Sequence, residues 1–395
     1  MINVRNLKRL HLAAIADRNE GRFFEEFQEG LDSKAISLND VSIRELFESF
    51  VPDGHEAVMS WNPRNGGNGI KMSELLEETG AVTSGGFTRI SNQLLVNAIL
   101  QGYEAEENVF SKLIPVQPTM LNGEKVPGIS QIGDEATVVG EGQPYQLAGV
   151  SEDYIETPIT TKRGLEVDVT KEAIFFDLTG QLQTRCSKVG EMLALNKEKR
   201  LIDAVIDENT TAARYKWKGT SYATYQSSTP YINLKASNAL VDWTNVDAAE
   251  LLFSQLVDPY TGEPITVVAK HLIVTRQLMR TAQRILSATQ IQTVTPGYAT
   301  SANPNVASWN NPYSSGLSLI WSAQLAARMA TDTTWYLGDV TKAIKYMENW
   351  PITVVEAPAN SEAEFTRDVV YRVKASERGA ASTWEPRQLV KSTVA

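Results

Sequence analysis

The stretch EDYIETPITTKRGLEVDVTKE, residues 152–172, constrains this chain more than any other. Its second half alternates: Leu165, Val167 and Val169 point one way, while Glu166, Asp168 and Thr170 point the other. A period of two describes a strand with one covered face. Tyr154 and Ile155 begin a first extended run. Lys162, Arg163 and Gly164 read as the polar break between the two runs, with the glycine tolerating positive φ. The approach, GDEATVVGEGQPYQLAGVS at 133–151, is rich in glycine and thin in large apolar residues. A ribbon so placed has little of its own to pack against and needs cover from elsewhere.

The remaining pattern fits an α+β protein. Phe23, Phe24, Phe27 and Leu31 form one helical stripe, and Ile43, Leu46, Phe47 and Phe50 another, with Ser42 and Glu45 spaced as a capping box. Pro52, Pro63 and NGGNG break the pattern over 51–70, and helix resumes at Leu94–Leu100. Leu178–Asn209 has the period of one long helix, about 45 Å if continuous, although Gly180 and Gly190 weaken it. WKGT reads as a hairpin turn, Val246–Leu256 as a helix and DPYTGEPI as a turn. KHLIVT is then a buried strand, and RQLMRTAQRIL a helix. Residues 293–316 show no periodicity and many turn formers, the pattern of a binding or contact loop or of a mobile one. Val369, Tyr371 and Val373 alternate with Val370, Arg372 and Lys374, and SERG reads as a turn into AASTWEPRQLV.

At 395 residues the chain has room for two or three domains, or for one core with extensions. Its net charge of −10 disfavours wrapping nucleic acid, where affinity comes from neutralising phosphates. A single cysteine, Cys186, precludes an internal disulfide and lies in a helical pattern, as a small buried hydrophobe would. No stretch approaches the ~18 apolar residues of a membrane span. The basic and apolar N-terminus is brief, contains His11 and runs into charged helix, which argues against a secretory signal. Without secretion the acceptor pattern Asn209-Thr210-Thr211 carries no meaning, so an intracellular protein is expected.

Catalytic patterns do not emerge. His11, His55 and His271 are far apart and lack metal-ligand spacing, and His271, ahead of an apolar strand, reads as structural. There is no phosphate loop, no GxSxG elbow, and GEG at 140–142 lacks the rest of a dinucleotide fingerprint. Glu77, Glu78 and Glu104, Glu106, Glu107 read as solvated helix faces. Lys197, Lys199, Arg200 and Lys216, Lys218 are local groups, and Tyr215 and Trp217 fit a hairpin surface. No catalytic, cofactor-binding or metal residue is assigned, and the protein is not expected to be an enzyme.

In this order the elements resemble a major capsid protein of tailed bacteriophages, the shell fold shared with encapsulins. Four stretches carry the resemblance: residues 133–177 as extended loop and return strand, 178–209 as spine helix, 258–286 as strand and helix of an axial domain, and the closing strands. Within the last, Arg378-Gly379 followed by Glu385-Pro386-Arg387 is the most recognisable part. The resemblance covers about 116–395. It is weaker over 1–115, where relatives carry an arm or a segment removed on maturation, and with the chain beginning at Met1 such removal is not expected.

The resemblance implies an N-terminal arm and helical extension at 1–115 and an extended β-hairpin loop with flanking strands at 116–177. It further implies a peripheral domain at 178–235 and 345–395, and an axial domain at 236–344 that carries the 293–316 loop, with the N-terminal helices reaching to neighbouring subunits. The function implied is a structural subunit self-assembling into pentamers and hexamers of an icosahedral shell around double-stranded DNA, without sequence-specific binding. The acidic balance fits an inner wall that does not hold DNA. Portal, scaffold and decoration proteins are further implied partners; no membrane is. The location is the virion, after assembly in the bacterial cytoplasm. The subunit contacts expected are Tyr154, Ile155, Lys162, Arg163, Leu165, Glu166, Val167 and Asp168 on the loop, with Arg378, Glu385 and Arg387 at the closing turn. The competing account of these contacts is an edge hairpin protected by its charges. Some relatives fuse a loop lysine to a neighbour's asparagine; Lys162 and Asn349 could be such a pair, which no motif fixes. Two other readings stay open: an encapsulin-type compartment holding protein cargo, and an α+β enzyme with an unrecognised site.

Overall fold

The computed structural model describes residues 4–17, 20–33, 43–50, 81–104, 108–127, 138–143, 154–170, 181–208, 215–228, 231–258, 262–294, 306–314, 316–356 and 369–394. Outside them lie Ser42 of the expected capping box, the break at 51–70, His55, Glu77, Glu78, Glu106, Glu107, Gly180 and Asn209. So does the 133–151 approach except for 138–143.

The chain opens with helices α1 (Val4–Ala16), α2 (Glu20–Asp32), α3 (Ile43–Phe50), α4 (Ala81–Tyr103) and α5 (Val109–Leu113). Strands β1 (Val116–Pro118), β2 (Lys125–Pro127), β3 (Tyr154–Glu156) and β4 (Thr161–Thr170) lead to the long helix α6 (Gln181–Ile206). There follow β5 (Lys216–Trp217), β6 (Thr220–Ser221), β7 (Leu234–Lys235), α7 (Trp243–Ser254), β8 (His271–Val274) and α8 (Arg276–Ser287). Then come β9 (Gln290–Val294), β10 (Val306–Asn310), β11 (Ser318–Trp321), α9 (Ala323–Ala326), β12 (Trp335–Gly338) and α10 (Val340–Ala343). Strands β13 (Ile344–Glu356), β14 (Val369–Thr383) and β15 (Leu389–Ser392) close the chain.

These elements form two compact units. The first comprises 1–107, 162–196 and 350–378. Its core joins both apolar stripes read in the sequence, since Phe24, Phe27, Leu31, Ile43, Leu46, Phe47 and Phe50 are all buried. Ile90, Leu94, Leu95, Ala98 and Ile99 of α4 meet them, as do Cys186 and Leu193 of α6. Each such large side chain contributes ~1.5–3 kcal/mol when fully buried. Gly190 does not interrupt α6. A Cβ there would fall 1.9 Å from the Ile99 carbonyl oxygen, and one at Gly102 would fall 2.0 Å from that of Ser187. The two glycines allow α4 and α6 to touch backbone to backbone. Helix propensity lost at Gly190, about 1 kcal/mol, is exchanged for that close packing.

The second unit comprises 108–161, 197–349 and 379–395. It holds a five-stranded sheet in the order β11-β8-β12-β15-β7. All four residues of β8 and of β12 are buried, as expected of central strands covered on both faces. Leu272, Val274, Trp335 and Leu337 pack with Val246, Leu252 and Phe253 of α7 and with Ala282 and Ile285 of α8. The alternate residues Ile273 and Tyr336 pack with Leu201, Ile202 and Val205 of α6. A smaller sheet, β2-β3-β5-β6, includes the WKGT hairpin, whose turn residues Lys218 and Gly219 both have positive φ.

Three expectations are corrected. Lys162, Arg163 and Gly164 lie inside β4, and the break falls at 157–160 instead. Gly164 is needed for close approach, since its Cβ would come within 2.7 Å of the Ala375 carbonyl oxygen. SERG does not turn, because β14 runs through it; a Cβ at Gly379 would sit 2.5 Å from the Tyr346 hydroxyl. The 293–316 stretch is not all irregular, because β9 and β10 pair antiparallel from Val306↔Val294 to Asn310↔Gln290. Five-residue strands beside many turn formers are too short to reveal a period.

Candidate functional site

The ribbon divides along its length. In β4, Val169 is buried and Val167 half-buried in the first core, beside Val373 and Ala375 of β14. Residues 161–166 are exposed on both faces, and Leu165 remains 43% exposed. The covered half is closed by an arginine that sequence reasoning did not select. Arg372 Nε donates to Asp168 Oδ1 at 2.6 Å and its Nη2 to Asp168 Oδ2 at 2.8 Å, with Glu166 Oε1 2.7 Å from Nε. Asp168, then Glu166, hold the Arg372 pKa above its ordinary value despite the opposing effect of desolvation. The signal was present: Arg372 falls on the outward register of its alternating strand, where a cross-strand carboxylate is a favourable partner. Lys162 and Arg163 are exposed.

The first run belongs to the smaller sheet. Ile155 pairs with Trp217 and Val126 and is 3% exposed, buried among Tyr215, Leu272 and their neighbours. Tyr154 is half-buried, with Lys125 Nζ 4.5 Å from its ring centroid. Glu156 accepts from Lys216, which lowers its pKa. The break that follows is pinned. Asn122 Oδ1 accepts from Thr160 N at 3.0 Å and Thr160 Oγ1 at 3.1 Å, and Glu124 N donates to Thr157 Oγ1 at 2.9 Å. Asn349 Nδ2 donates to the carbonyls of Thr119 and Leu121 at 3.0 and 3.1 Å, so its amide is engaged within its own chain.

At the closing turn, Arg378 lies 5.4 Å from the Trp350 ring centroid. Glu385 and Arg387 form a two-pronged pair, Nε to Oε1 at 2.6 Å and Nη2 to Oε2 at 2.7 Å, both buried. Burial opposes the Arg387 charge, and the Glu385 carboxylate more than offsets it. Asn233 Nδ2 donates to the carbonyls of Pro386, between the two, and of Leu389, two residues beyond Arg387. Of the residues expected on the contact surface, Ile155, Glu385 and Arg387 are therefore occupied inside the chain. Lys162, Arg163, Leu165, Glu166 and Asp168 are exposed, whereas Tyr154, Val167 and Arg378 are partly covered.

Another buried carboxylate was missed. Glu198 Oε1 accepts from the backbone N–H of Val109 and Phe110, at 3.0 and 2.8 Å, and its Oε2 accepts from Ser111 N and Oγ, both at 2.8 Å. It satisfies the start of α5, where helix N–H groups lack internal partners. The spine's cations are likewise engaged, Lys197 with Glu348 at 3.4 Å and Arg200 with the Tyr346 hydroxyl at 3.2 Å.

Burial pushes the Cys186 thiol up to about 11, the behaviour of a packing residue and not of a nucleophile. His271, 4.0 Å from Asp339, is lowered by burial. Burial would raise Asp339, but Lys270 and Thr341 hold its carboxyl below the usual range. Among the described residues no group of His, Cys, Asp or Glu could hold a metal ion, and no helix is long and apolar enough to cross a membrane.

Residues 154–392 match the family described as phage capsid protein. Among solved structures, a Mycobacterium phage Bobi chain is similar with a TM-score of 0.46 and 9% identity, over 72% of this chain and 89% of that one. The cyanophage Pam1 capsid gives 0.46 and 12%, over 73% and 92%. A virus-like particle from Pyrococcus furiosus gives 0.39 and 13%, over 75% and 96%. No curated protein matches the chain.

Proposed function

The chain belongs to the phage capsid protein family, and from that premise we propose that it assembles into pentamers and hexamers which close into a shell around a double-stranded DNA genome. It is a structural subunit of the virion. The observation that carries this is the family match over 154–392, which takes in the ribbon, the spine helix and the closing strands. No enzymatic role is proposed. A shell around protein cargo is the less favoured reading, because the family matched is that of phage capsids.

In this reading the uncovered half of β4 lies over an adjacent subunit. Lys162, Arg163, Leu165 and Glu166 make the contact, with Tyr154, Val167, Asp168 and Arg378 at its margin. Charged contacts of this kind fix register more than they add affinity. Ile155, Glu385 and Arg387 act from inside by holding the shape presented. We assign 236–344 to an axial domain and 178–235 with 345–395 to a peripheral one. The extended loop and its flanking strands take 116–177. Residues 1–115 form an arm and helical extension. Portal, scaffold and decoration proteins are its further partners, and assembly takes place in the bacterial cytoplasm.

Negative-stain electron microscopy beside size-exclusion chromatography tests this directly. Closed shells, or rings of five and six, are expected. A monomer that persists when concentrated and mixed with scaffold would sink the reading.

A further inference from the structure

One part of the sequence departs from the rest in charge. Asp and Glu number 47 in the chain, yet residues 264–331 contain neither. The same span carries Lys270, Arg276, Arg280, Arg284 and Arg328. Two of these cations are matched by carboxylates from outside the span: Lys270 by Asp339 at 2.8 Å, and Arg328 by Asp203. The other three share α8.

Spacing of four places Arg276, Arg280 and Arg284 on one stripe, about 6 Å apart along the helix axis. All three are exposed, while Ala282 and Ile285 of the same helix are buried. Their recorded contacts are weak ones. Arg276 Nη1 donates to Met279 Sδ at 2.7 Å, and its guanidinium lies 5.2 Å from the Trp321 ring centroid. Arg280 Nη1 donates to Gln283 Oε1 at 3.1 Å, and Arg284 Nη2 to the Val241 carbonyl at 3.3 Å. Among the described residues none of the three meets a carboxylate at ion-pair distance. The neighbouring acids do not supply one: Asp242 accepts from Trp243 N at the start of α7, and Asp332 meets Thr275 through its backbone carbonyl. Elsewhere Arg22, Arg44, Arg328, Arg372 and Arg387 each have an acid. In an acidic chain, three adjacent arginines without one leave an external anion as the natural counter-charge.

We propose that this face of α8 binds the phosphate backbone of double-stranded DNA, a step that rests on the capsid reading for the identity of the polyanion. Net charge is a sum over the whole chain, whereas a phosphate responds to charges within about 8 Å at physiological salt. Guanidinium groups suit phosphate because their N–H forks can donate two bonds at once, and such contacts carry no sequence information. Three contacts per subunit make each attachment weak. Repetition around a shell makes the sum large, since linked sites reinforce one another.

The test is fluorescence anisotropy of a short labelled duplex titrated with the full chain over a range of salt. Three contacts predict a slope of log affinity against log salt of about −2.7. Replacing Arg276, Arg280 and Arg284 together by Gln should bring that slope close to zero and weaken low-salt binding about tenfold or more. Replacing all three by Lys should preserve it. An unchanged slope in the Gln variant overturns the proposal. So does displacement of the duplex by a polyglutamate peptide at lower charge concentration, which would mark the face as a site for an acidic protein segment. Should the triple variant melt early by circular dichroism, Arg280→Gln alone should still flatten the slope by about 0.9, and no change there also overturns it. Micrographs of the same samples separate the two readings. Shells with an unchanged salt slope retain the capsid reading and remove this one; loss of DNA binding without shells does the reverse.

Discussion

Two arginine–carboxylate pairs in this protein share their chemistry and differ in setting. Arg372 grips Asp168 and Glu166 at an exposed strand pair, whereas Arg387 grips Glu385 where both side chains are buried. An exposed pair is screened by water and contributes little to stability. A buried pair is different, because removing one partner strands a desolvated charge. The first can be exchanged for contacts with another molecule at small cost. The second is part of the fold. The difference teaches that a charged motif earns an interface role through exposure, not through composition.

The sharpest way to break the comparison is to truncate each arginine in turn. Arg387→Ala should cost about 3–5 kcal/mol in denaturant unfolding, since Glu385 is then buried alone. Combining it with Glu385→Leu should recover most of that loss. Arg372→Ala should leave the denaturation midpoint almost where it was. Equal losses at the two sites would show that burial does not separate them.

A smaller effect should appear with pH. Burial lowers the His271 pKa, so the unfolded chain takes up a proton before the folded one does as the solution is acidified. Its contribution is complete well above pH ~6.5 and is lost as pH falls through that range. Asp339 adds a second loss at lower pH, because its depressed pKa makes its contribution present above the ordinary carboxylate value and lost below it. Thermal melts against pH should therefore decline on acidification, and His271→Gln should flatten the first limb alone. A wild-type melting temperature that rises between about pH 7 and pH 5 would contradict the assignment.

The smallest effect on stability belongs to the exposed end of β4. Replacing Lys162 and Arg163 together by Ala should leave the melting temperature of the isolated chain unchanged while reducing the yield of shells by size-exclusion chromatography. Lost stability with normal assembly would place those side chains with Arg387 and not with the interface.

The helices and the alternating strands were legible in the sequence because their signals are local. The Phe24–Phe27–Leu31 stripe, the course of α6 and the alternation of Leu165, Val167 and Val169 depend on residues a few positions apart. The short pairing of β9 with β10 was not legible, since each strand is too brief to show a period. Of the residues expected on the contact surface, Lys162, Arg163 and Leu165 are exposed, and Arg372, which closes the covered half of β4, was not singled out. Alternation gave its outward register, but its partners lie some 200 positions away, so spacing did not say which carboxylates it meets.

By itself, then, the sequence determined the element types, the acidic total and the family resemblance, which rest on periodicity, composition and order along the chain. Tertiary structure alone decided what its ambiguous residues do. Gly164 and Gly379 read as turn formers because glycine tolerates unusual φ, yet each lies within a strand where a Cβ would strike a neighbour distant in sequence. Glu385 is buried, Glu166 is exposed, and among the described residues the α8 arginines meet no acid, for the same reason: a charge finds its partner across space, and only the folded chain brings those places together.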